Sequence, residues 1–298
     1  MRLVVCAYHN VGYRCISELL RQGAAIELIF THEDSPTEQI WFDSVRALAE
    51  RHCIPLLTSD ISLPENVARV KALAPDFIVS FYYRNMISRE VLEIPRLGAL
   101  NLHGSFLPQY RGRVPVNWSV INGETETGAT LHYMVEKPDA GDIVDQERVP
   151  IAFTDTAQDV FLNVTEAAVK IISRAWPLLK SGKAPRTRMN LAKGSYFGGR
   201  KPADGRIDWG KSAVQIYNLV RGVTHPYPGA FAYLGDLKVI IWSAWPLEGE
   251  AEPGHILSHR PLLVATGDGV LEIRSLQIDG DVEKNPDTLN LTAVSSFK

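Results

Sequence analysis

Cysteine is scarce in this chain, whose 298 residues include only Cys6, Cys15 and Cys53. No two of these cysteines have the spacing of a metal-binding pair. So low a cysteine content is typical of proteins that work in a reducing compartment, where thiols stay unpaired. We therefore expect a cytoplasmic protein, with no metal site.

Long apolar runs are missing as well. The first apolar run, Leu3–Ala7, follows one charged residue and ends at Tyr8. It is too short for a signal peptide and is better explained as a buried strand. No run reaches the roughly 20 apolar residues that a membrane-spanning helix needs. The sequence therefore predicts no insertion into a membrane.

The chain also lacks an excess of charge of either sign. Its formal net charge is -3, with 22% charged and 45% hydrophobic residues. This composition is typical of a soluble globular protein, and it gives no general attraction for nucleic acid or an anionic membrane. The length is sufficient for one large domain or two ordinary ones.

Glycine-rich nucleotide-binding loops are missing too. The turn after the first predicted strand, residues 8–13, contains a single glycine, Gly12. A Gly-x-Gly-x-x-Gly turn needs three, and no Gly-rich loop ending in Lys-Ser or Lys-Thr occurs in the chain. The sequence therefore argues against NAD as a cofactor of this chain.

What is present is a regular alternation of strands and helices in the first part of the chain. Apolar runs predict strands at residues 3–7, 25–30 and 77–81, and another around Asn101. This rhythm indicates an α/β fold with a Rossmann-like, mostly parallel sheet and helices on both faces. Ligands of such sheets bind at the carboxyl ends of the strands. The polar residues at those ends are Ser80, Tyr82, Asn101 and His103.

The rest of the chain predicts a hairpin, a long helix and a second domain. Residues 123–150 are expected to form a hairpin appended to the sheet, and residues 156–179 a helix. From about residue 181 the composition shifts to Gly, Lys, Arg and Pro, which marks a linker. We therefore predict a first domain at 1–203, linker included, and a second at 204–298. Short strands separated by turns predict a small, OB-like β-barrel there.

Asn101 and His103 are two residues apart on a predicted strand and therefore point to the same face. An amide can donate to a developing oxyanion, and an imidazole can move a proton near neutral pH. Asp139, in a glycine-containing loop, could return a carboxylate to this strand end and favour the imidazolium. The alternatives are a buried Asn and His bonded to the backbone, and an aspartate that only forms a turn.

Histidines elsewhere in the chain show no spacing suited to metal ligation. We interpret them as structural or surface residues; they are His9, His32, His52, His132, His225, His255 and His259.

Several motifs together resemble the 10-formyltetrahydrofolate-dependent formyltransferases, over nearly the whole chain. These are Asn101-Leu102-His103-Gly104-Ser105, Leu107-Pro108, Tyr110-Arg111-Gly112, Pro115, the loop 139–143, and in the second domain 207–209 and 221–229. The resemblance implies Asn101, His103 and Asp139 as catalytic residues and 10-formyltetrahydrofolate as the co-substrate. It also implies a folate site lined by Asn85, Met86, Ile87, Arg113, Val135, Glu136, Lys137, Pro138 and Asp139.

One branch of the family is especially similar, the formyltransferase domain of the bifunctional polymyxin-resistance enzyme that acts on UDP-4-amino-4-deoxy-L-arabinose. The likeness lies in residues 7–9, 80–84 and 110–113. It implies formylation of the 4-amino group of a UDP-linked amino sugar, in lipid A modification. It also implies a UDP-glucuronate decarboxylating dehydrogenase as a partner, either fused or separate. Another nucleotide-linked amino sugar remains an alternative acceptor.

Two further alternatives stay open. Methionyl-tRNA formyltransferase shares the chemistry but needs a basic surface, whereas residues 204–298 contain eight Lys or Arg and twelve Asp or Glu, a net charge of -4. That balance disfavours a polyanionic partner. A non-catalytic folate- or nucleotide-binding module is the other alternative, and the intact set of Asn101, His103 and Asp139 argues against it.

Overall fold

The computed structural model describes residues 1–36, 39–289 and 295–298. The chain divides into two compact units, each built from several segments. The first unit comprises Met1–Pro115, Glu126–Pro150 and Phe161–Phe197. The second comprises Val116–Thr125, Ile151–Val160 and Gly198–Lys298.

A seven-stranded sheet organises the first unit. Its strands are β1 (Arg2–Ala7), β2 (Ala25–Phe30), β3 (Leu56–Leu57), β4 (Phe77–Phe81), β5 (Gly98–His103), β7 (Glu126–Tyr133) and β8 (Ile143–Pro150). The order across the sheet is β3-β2-β1-β4-β5-β7-β8. The strands β3, β2, β1, β4 and β5 are parallel to one another. Strand β7 is antiparallel to β5, and β8 is antiparallel to β7. The predicted Rossmann-like sheet with an appended hairpin is therefore confirmed.

A second, two-stranded sheet lies in the same unit. It pairs β6 (Arg111–Gly112) with β9 (Tyr196–Phe197) in parallel. Strands of two residues are too short to show a period of hydrophobicity, so the sequence does not predict this sheet.

The helix predicted at residues 156–179 is α6, and six further α-helices lie in the described parts of the chain. The seven are α1 (His9–Arg21), α2 (Val45–Arg51), α3 (Pro64–Leu73), α4 (Arg89–Leu92), α5 (Pro115–Ile121), α6 (Ala157–Lys180) and α7 (Ala213–Val223). Helix α2 begins after Ser44, whose hydroxyl caps the helix by accepting from Ala47 N–H. No helix in the described parts of the chain is both long and apolar enough to cross a bilayer.

The core of the first unit explains why its strands read as unbroken apolar runs. Leu3–Ala7 of β1 are completely buried, and so are Phe30 and Ile78 on the neighbouring strands. Strands of a parallel sheet are covered on both faces, so inward and outward side chains are equally apolar. This packing fixes the sheet, and with it the position of the strand ends where Asn101 and His103 lie.

The second unit contains a five-stranded antiparallel sheet packed with α7. Its strands are β10 (Ala230–Leu234), β11 (Leu237–Leu247), β12 (Ile256–His259), β13 (Leu262–Ala265) and β14 (Val270–Ile278). Their order is β10-β11-β14-β13-β12. The β-rich second domain is confirmed, whereas no pairing of β10 with β12 is found among the described residues. Closure into a barrel therefore stays a prediction.

Candidate active site

Strand β5 lies between parallel β4 and antiparallel β7, and these two neighbours determine what surrounds Asn101. In register, Asn101 pairs with Ser80 on β4 and with His132 on β7. His103, two residues on, pairs with Thr130. The antiparallel partner thus brings a second histidine directly opposite the asparagine.

Asp139 reaches this strand end from the loop that joins β7 to β8. Its backbone is left-handed, with a φ of 49°, which is uncommon outside glycine. The loop also depends on Gly141, because a Cβ there would overlap the carbonyl oxygen of Tyr133. Gly112 N–H donates to Asp139 Oδ2 at 2.9 Å and holds the carboxylate in place.

One carboxylate oxygen of Asp139 faces three side-chain nitrogens. Asp139 Oδ1 lies 3.4 Å from Asn101 Nδ2. It lies 3.5 Å from both His103 Nδ1 and His132 Nε2. The three residues expected to be catalytic are therefore gathered around one atom, and His132 joins them.

His103 is held at its other ring nitrogen. His103 Nε2 lies 2.8 Å from the carbonyl oxygen of Tyr110, which can only accept, so this nitrogen carries a proton. Ser105 Oγ donates to the carbonyl of Gln109 at 2.6 Å, and the Tyr110 ring stacks on Phe197. With Nε2 fixed in this way, His103 Nδ1 is the nitrogen that can take up or release a proton beside Asp139.

Asp139 is ionised in this setting. Burial is the largest single influence and raises the pKa of Asp139, since only 12% of its side chain is exposed. The charge of His103 and the hydrogen bond from Gly112 N–H act in the opposite direction. Together they hold the pKa of Asp139 well below its ordinary value. The cluster therefore keeps a negative charge next to His103 Nδ1.

Tyr82 stands over the turn that follows His103. Its backbone is left-handed, with a φ of 56°, at the point where the chain leaves β4. A Cβ on Gly104 would overlap the Tyr82 hydroxyl, so glycine is needed for this close approach. Strained backbone of this kind often occurs at functional sites, and Tyr110 and Val114 nearby have it too.

The residues expected to line a folate site lie in three loops and have varied environments. Asn85 Nδ2 donates to Asp60 Oδ2 at 3.0 Å, and Ile87 packs against the apolar core. Met86 is 62% exposed and Val135 is 45% exposed. Arg113, Glu136 and Lys137 are exposed, and Pro138 is half-buried. Of this set, the structure brings only Asp139 into the cluster around Asn101.

His132 is not among the residues predicted for the site and is expected to be structural or on the surface. Its side chain is 1% exposed, so it is not on the surface, and it lies within the cluster. The signal that could have found it is the hairpin: once β7 is placed antiparallel to β5, residues near 132 must face Asn101.

An aromatic cluster surrounds His9 at the end of β1. The His9 ring contacts Trp41, Phe42 and Phe161, with centroids 3.8–4.7 Å apart. Burial, aided by the charge of Arg84, lowers the pKa of His9 to about 3, so this imidazole is neutral. His9 is therefore not a surface histidine.

The described residues include no group of three or more His, Cys, Asp or Glu side chains that could hold a metal ion.

Two profiles of known protein families match this chain. The formyl transferase profile matches residues 21–176, more than half of the chain, and the profile of the formyl transferase C-terminal domain matches residues 200–290. The chain belongs to the formyl transferase family. The residues matched by the first profile include Asn101, His103 and Asp139.

Several solved structures share the fold of this chain. The N-formyltransferase of Helicobacter canadensis, in complex with folinic acid and dTDP-3-aminofucose, is 17% identical over 91% of this chain and 98% of its own, with a TM-score of 0.68. HypX of Aquifex aeolicus is 20% identical, with a TM-score of 0.65; the match covers 96% of this chain and 46% of HypX. A methionyl-tRNA formyltransferase of Clostridium thermocellum is 17% identical over 82% of this chain and 92% of its own, with a TM-score of 0.59.

Proposed function

We propose that this formyltransferase moves the formyl group of 10-formyltetrahydrofolate to the amino group of a nucleotide-linked amino sugar. The observation that carries the proposal is the cluster at the end of β5. There, Asp139 Oδ1 lies within 3.5 Å of nitrogens of both Asn101 and His103. An amide donor, an imidazole and an ionised carboxylate at one point are the groups that acyl transfer to an amine requires.

Asn101 acts on the developing oxyanion. When the acceptor amine attacks the formyl carbon, a C–N bond forms and negative charge moves onto the formyl oxygen. The Nδ2–H of Asn101 donates to that oxygen, and one such donor is typically worth about 3 kcal/mol of transition-state stabilisation.

His103 handles the proton that the exchange of amines requires. The acceptor nitrogen loses one proton, and the folate nitrogen gains one as its bond to the formyl carbon breaks. His103 Nδ1, beside Asp139, takes up the proton that the acceptor nitrogen loses and delivers it to the departing folate nitrogen. Asp139 stabilises the imidazolium while it exists.

A folate ligand is supported by exposed residues in the predicted folate-binding loops. Met86 and Val135 are apolar yet exposed, which suits contact with a flat ring system. The exposed guanidinium of Arg113 offers a planar fork of donors for a folate carboxylate. We assign the folate to these residues together with Asn85, Ile87 and the run 136–139. The Helicobacter structure is in complex with folinic acid, which supports a folate as the ligand.

An amino sugar is the acceptor that the charge distribution favours. The second domain, residues 204–298, has a net charge of -4, which opposes a polyanion such as tRNA. The similar Helicobacter enzyme holds a dTDP-linked amino sugar. Within this class we propose UDP-4-amino-4-deoxy-L-arabinose, on the motifs at residues 7–9, 80–84 and 110–113.

An acceptor screen tests this proposal. The protein is incubated with 10-formyltetrahydrofolate and, in turn, with UDP-4-amino-4-deoxy-L-arabinose, dTDP-linked amino sugars and methionyl initiator tRNA, at low salt where electrostatic binding to RNA is strongest. We expect formylation of a nucleotide sugar, with the UDP compound best, and none of the tRNA. Formylation of methionyl-tRNA with no activity on any nucleotide sugar would replace this proposal with the tRNA alternative.

A further inference from the structure

We infer that His132 is a positioning residue for Asn101, whose amide it orients toward the reacting centre. The inference deepens the formyl-transfer function proposed above and rests on it. His132 is buried, with 1% of its side chain exposed, and it lies opposite Asn101 in the β5–β7 register.

The proton on the His132 ring is located by the backbone. His132 Nδ1 lies 2.8 Å from the carbonyl oxygen of Tyr133, which accepts only, so Nδ1 carries the hydrogen. In the neutral ring, Nε2 then has a lone pair and is an acceptor. This lone pair faces Asn101 Nδ2 at 3.3 Å.

The lone pair allows only one orientation of the Asn101 amide. With Nδ2 turned toward His132, one N–H donates to His132 Nε2 and the other is directed at Asp139 Oδ1, 3.4 Å away. A flipped amide would place its oxygen against a lone pair and a carboxylate, both of which repel it. His132 thus fixes which end of Asn101 faces the cluster.

The two hydrogens of the Asn101 amide have different acceptors, His132 Nε2 at 3.3 Å and Asp139 Oδ1 at 3.4 Å. Asp139 also accepts from Gly112 N–H at its other oxygen, so the carboxylate does not depend on Asn101 for its position. The formyl oxygen can therefore take over the Asn101 hydrogen that faces Asp139 as its charge develops, while the bond to His132 keeps the amide in place. This division requires an acceptor at His132 and would be lost with an apolar side chain.

Steady-state kinetics of His132 variants test the inference. His132→Leu removes the acceptor, and we expect kcat to fall about tenfold to a hundredfold while both KM values change less than about threefold. His132→Gln can place an oxygen near the position of Nε2 and should retain clearly more turnover. In an Asn101→Ala background, His132→Leu should cost less than about threefold, because its target is gone.

Three results would overturn the inference. They are an unchanged kcat in His132→Leu, a Gln variant no better than the Leu variant, and a loss as large without Asn101 as with it. Wild-type turnover in the same assays separates this inference from the proposed function: a protein that turns over normally and ignores His132 contradicts the inference alone.

A measurement on the wild-type protein removes any dependence on the folding of the variants. Nitrogen-15 NMR of the histidine-labelled protein should show the hydrogen of His132 on Nδ1 and none on Nε2. A hydrogen on His132 Nε2, whether or not Nδ1 also carries one, would contradict the inference, whatever the kinetics.

Discussion

Gly112 N–H donates to Asp139 Oδ2 at 2.9 Å, and this bond joins β6 to the loop between β7 and β8. Because the donor is a backbone group, it has no tautomer and no alternative rotamer, so the carboxylate is held at a fixed angle. The bond occupies Oδ2 and leaves Oδ1 facing Asn101, His103 and His132. A single backbone contact thus orients the acid around which the site is arranged.

Asn101→Ala should lower kcat by about a hundredfold to a thousandfold, because it removes the donor to the oxyanion. The KM for each substrate should change little, since that donor acts mainly in the transition state. Initial rates and a thermal unfolding curve check the expectation. Asn163→Ala, at an exposed position on α6, is the matched control and should behave as wild type. A kcat within threefold of wild type in Asn101→Ala would remove the asparagine from the mechanism.

Asp139→Asn should change how stability depends on pH. The folded-state pKa of Asp139 lies below the unfolded value of about 3.9, so ionised Asp139 stabilises the fold at pH values above the unfolded pKa. That contribution is lost as pH falls toward the folded pKa. Urea unfolding between pH 7 and pH 3 should therefore show the wild type losing its advantage over Asp139→Asn below about pH 4. A difference that stays constant over this range would contradict the lowered pKa.

Gly141→Ala should displace the loop that carries Asp139. The backbone of Gly141 is not left-handed, so the effect comes only from the overlap between the new Cβ and the Tyr133 carbonyl. We expect a loss of stability of about 1–3 kcal/mol, typical of a forced steric shift, and a large loss of turnover. Gly198→Ala is the control, because a Cβ there meets no atom within 4 Å. Equal behaviour of the two variants would show that the loop does not depend on Gly141.

Local sequence patterns account for most of the fold. The apolar runs at Leu3–Ala7 and Phe77–Phe81 are strands because both of their faces are buried, and that requirement is visible in the sequence. The two-residue strands β6 and β9 pair across more than 80 residues, and nothing local marks them. They form only because the rest of the unit brings them together.

Local spacing also predicts part of the candidate site, namely the shared face of Asn101 and His103, but it does not predict His132. The spacing of Asn101 and His103 places them on one side of a strand whatever the rest of the fold does. His132 depends on the register between β5 and β7, which is a property of two distant segments. A shift of one residue would have turned His132 to the opposite face.

Arg113→Ala should raise KM for the folate donor by about tenfold, with kcat within about threefold of wild type. The expectation follows from an exposed guanidinium that binds a carboxylate in ground and transition states alike. Arg69→Ala, which removes an exposed arginine on α3, is the control and should leave both constants unchanged. A fall in kcat at unchanged KM would instead place Arg113 in the chemical step.

The central claim is that the cluster of Asn101, His103 and Asp139 transfers a formyl group to an amine. Its most direct test follows carbon-13 from labelled 10-formyltetrahydrofolate into a UDP-linked amino sugar, with wild type and His103→Ala side by side. We expect the wild type to place the label on the amino nitrogen as a formamide, and His103→Ala to do so at least a hundredfold more slowly while remaining folded. Transfer at the wild-type rate by His103→Ala, or no transfer by the wild type to any amine, would contradict the account.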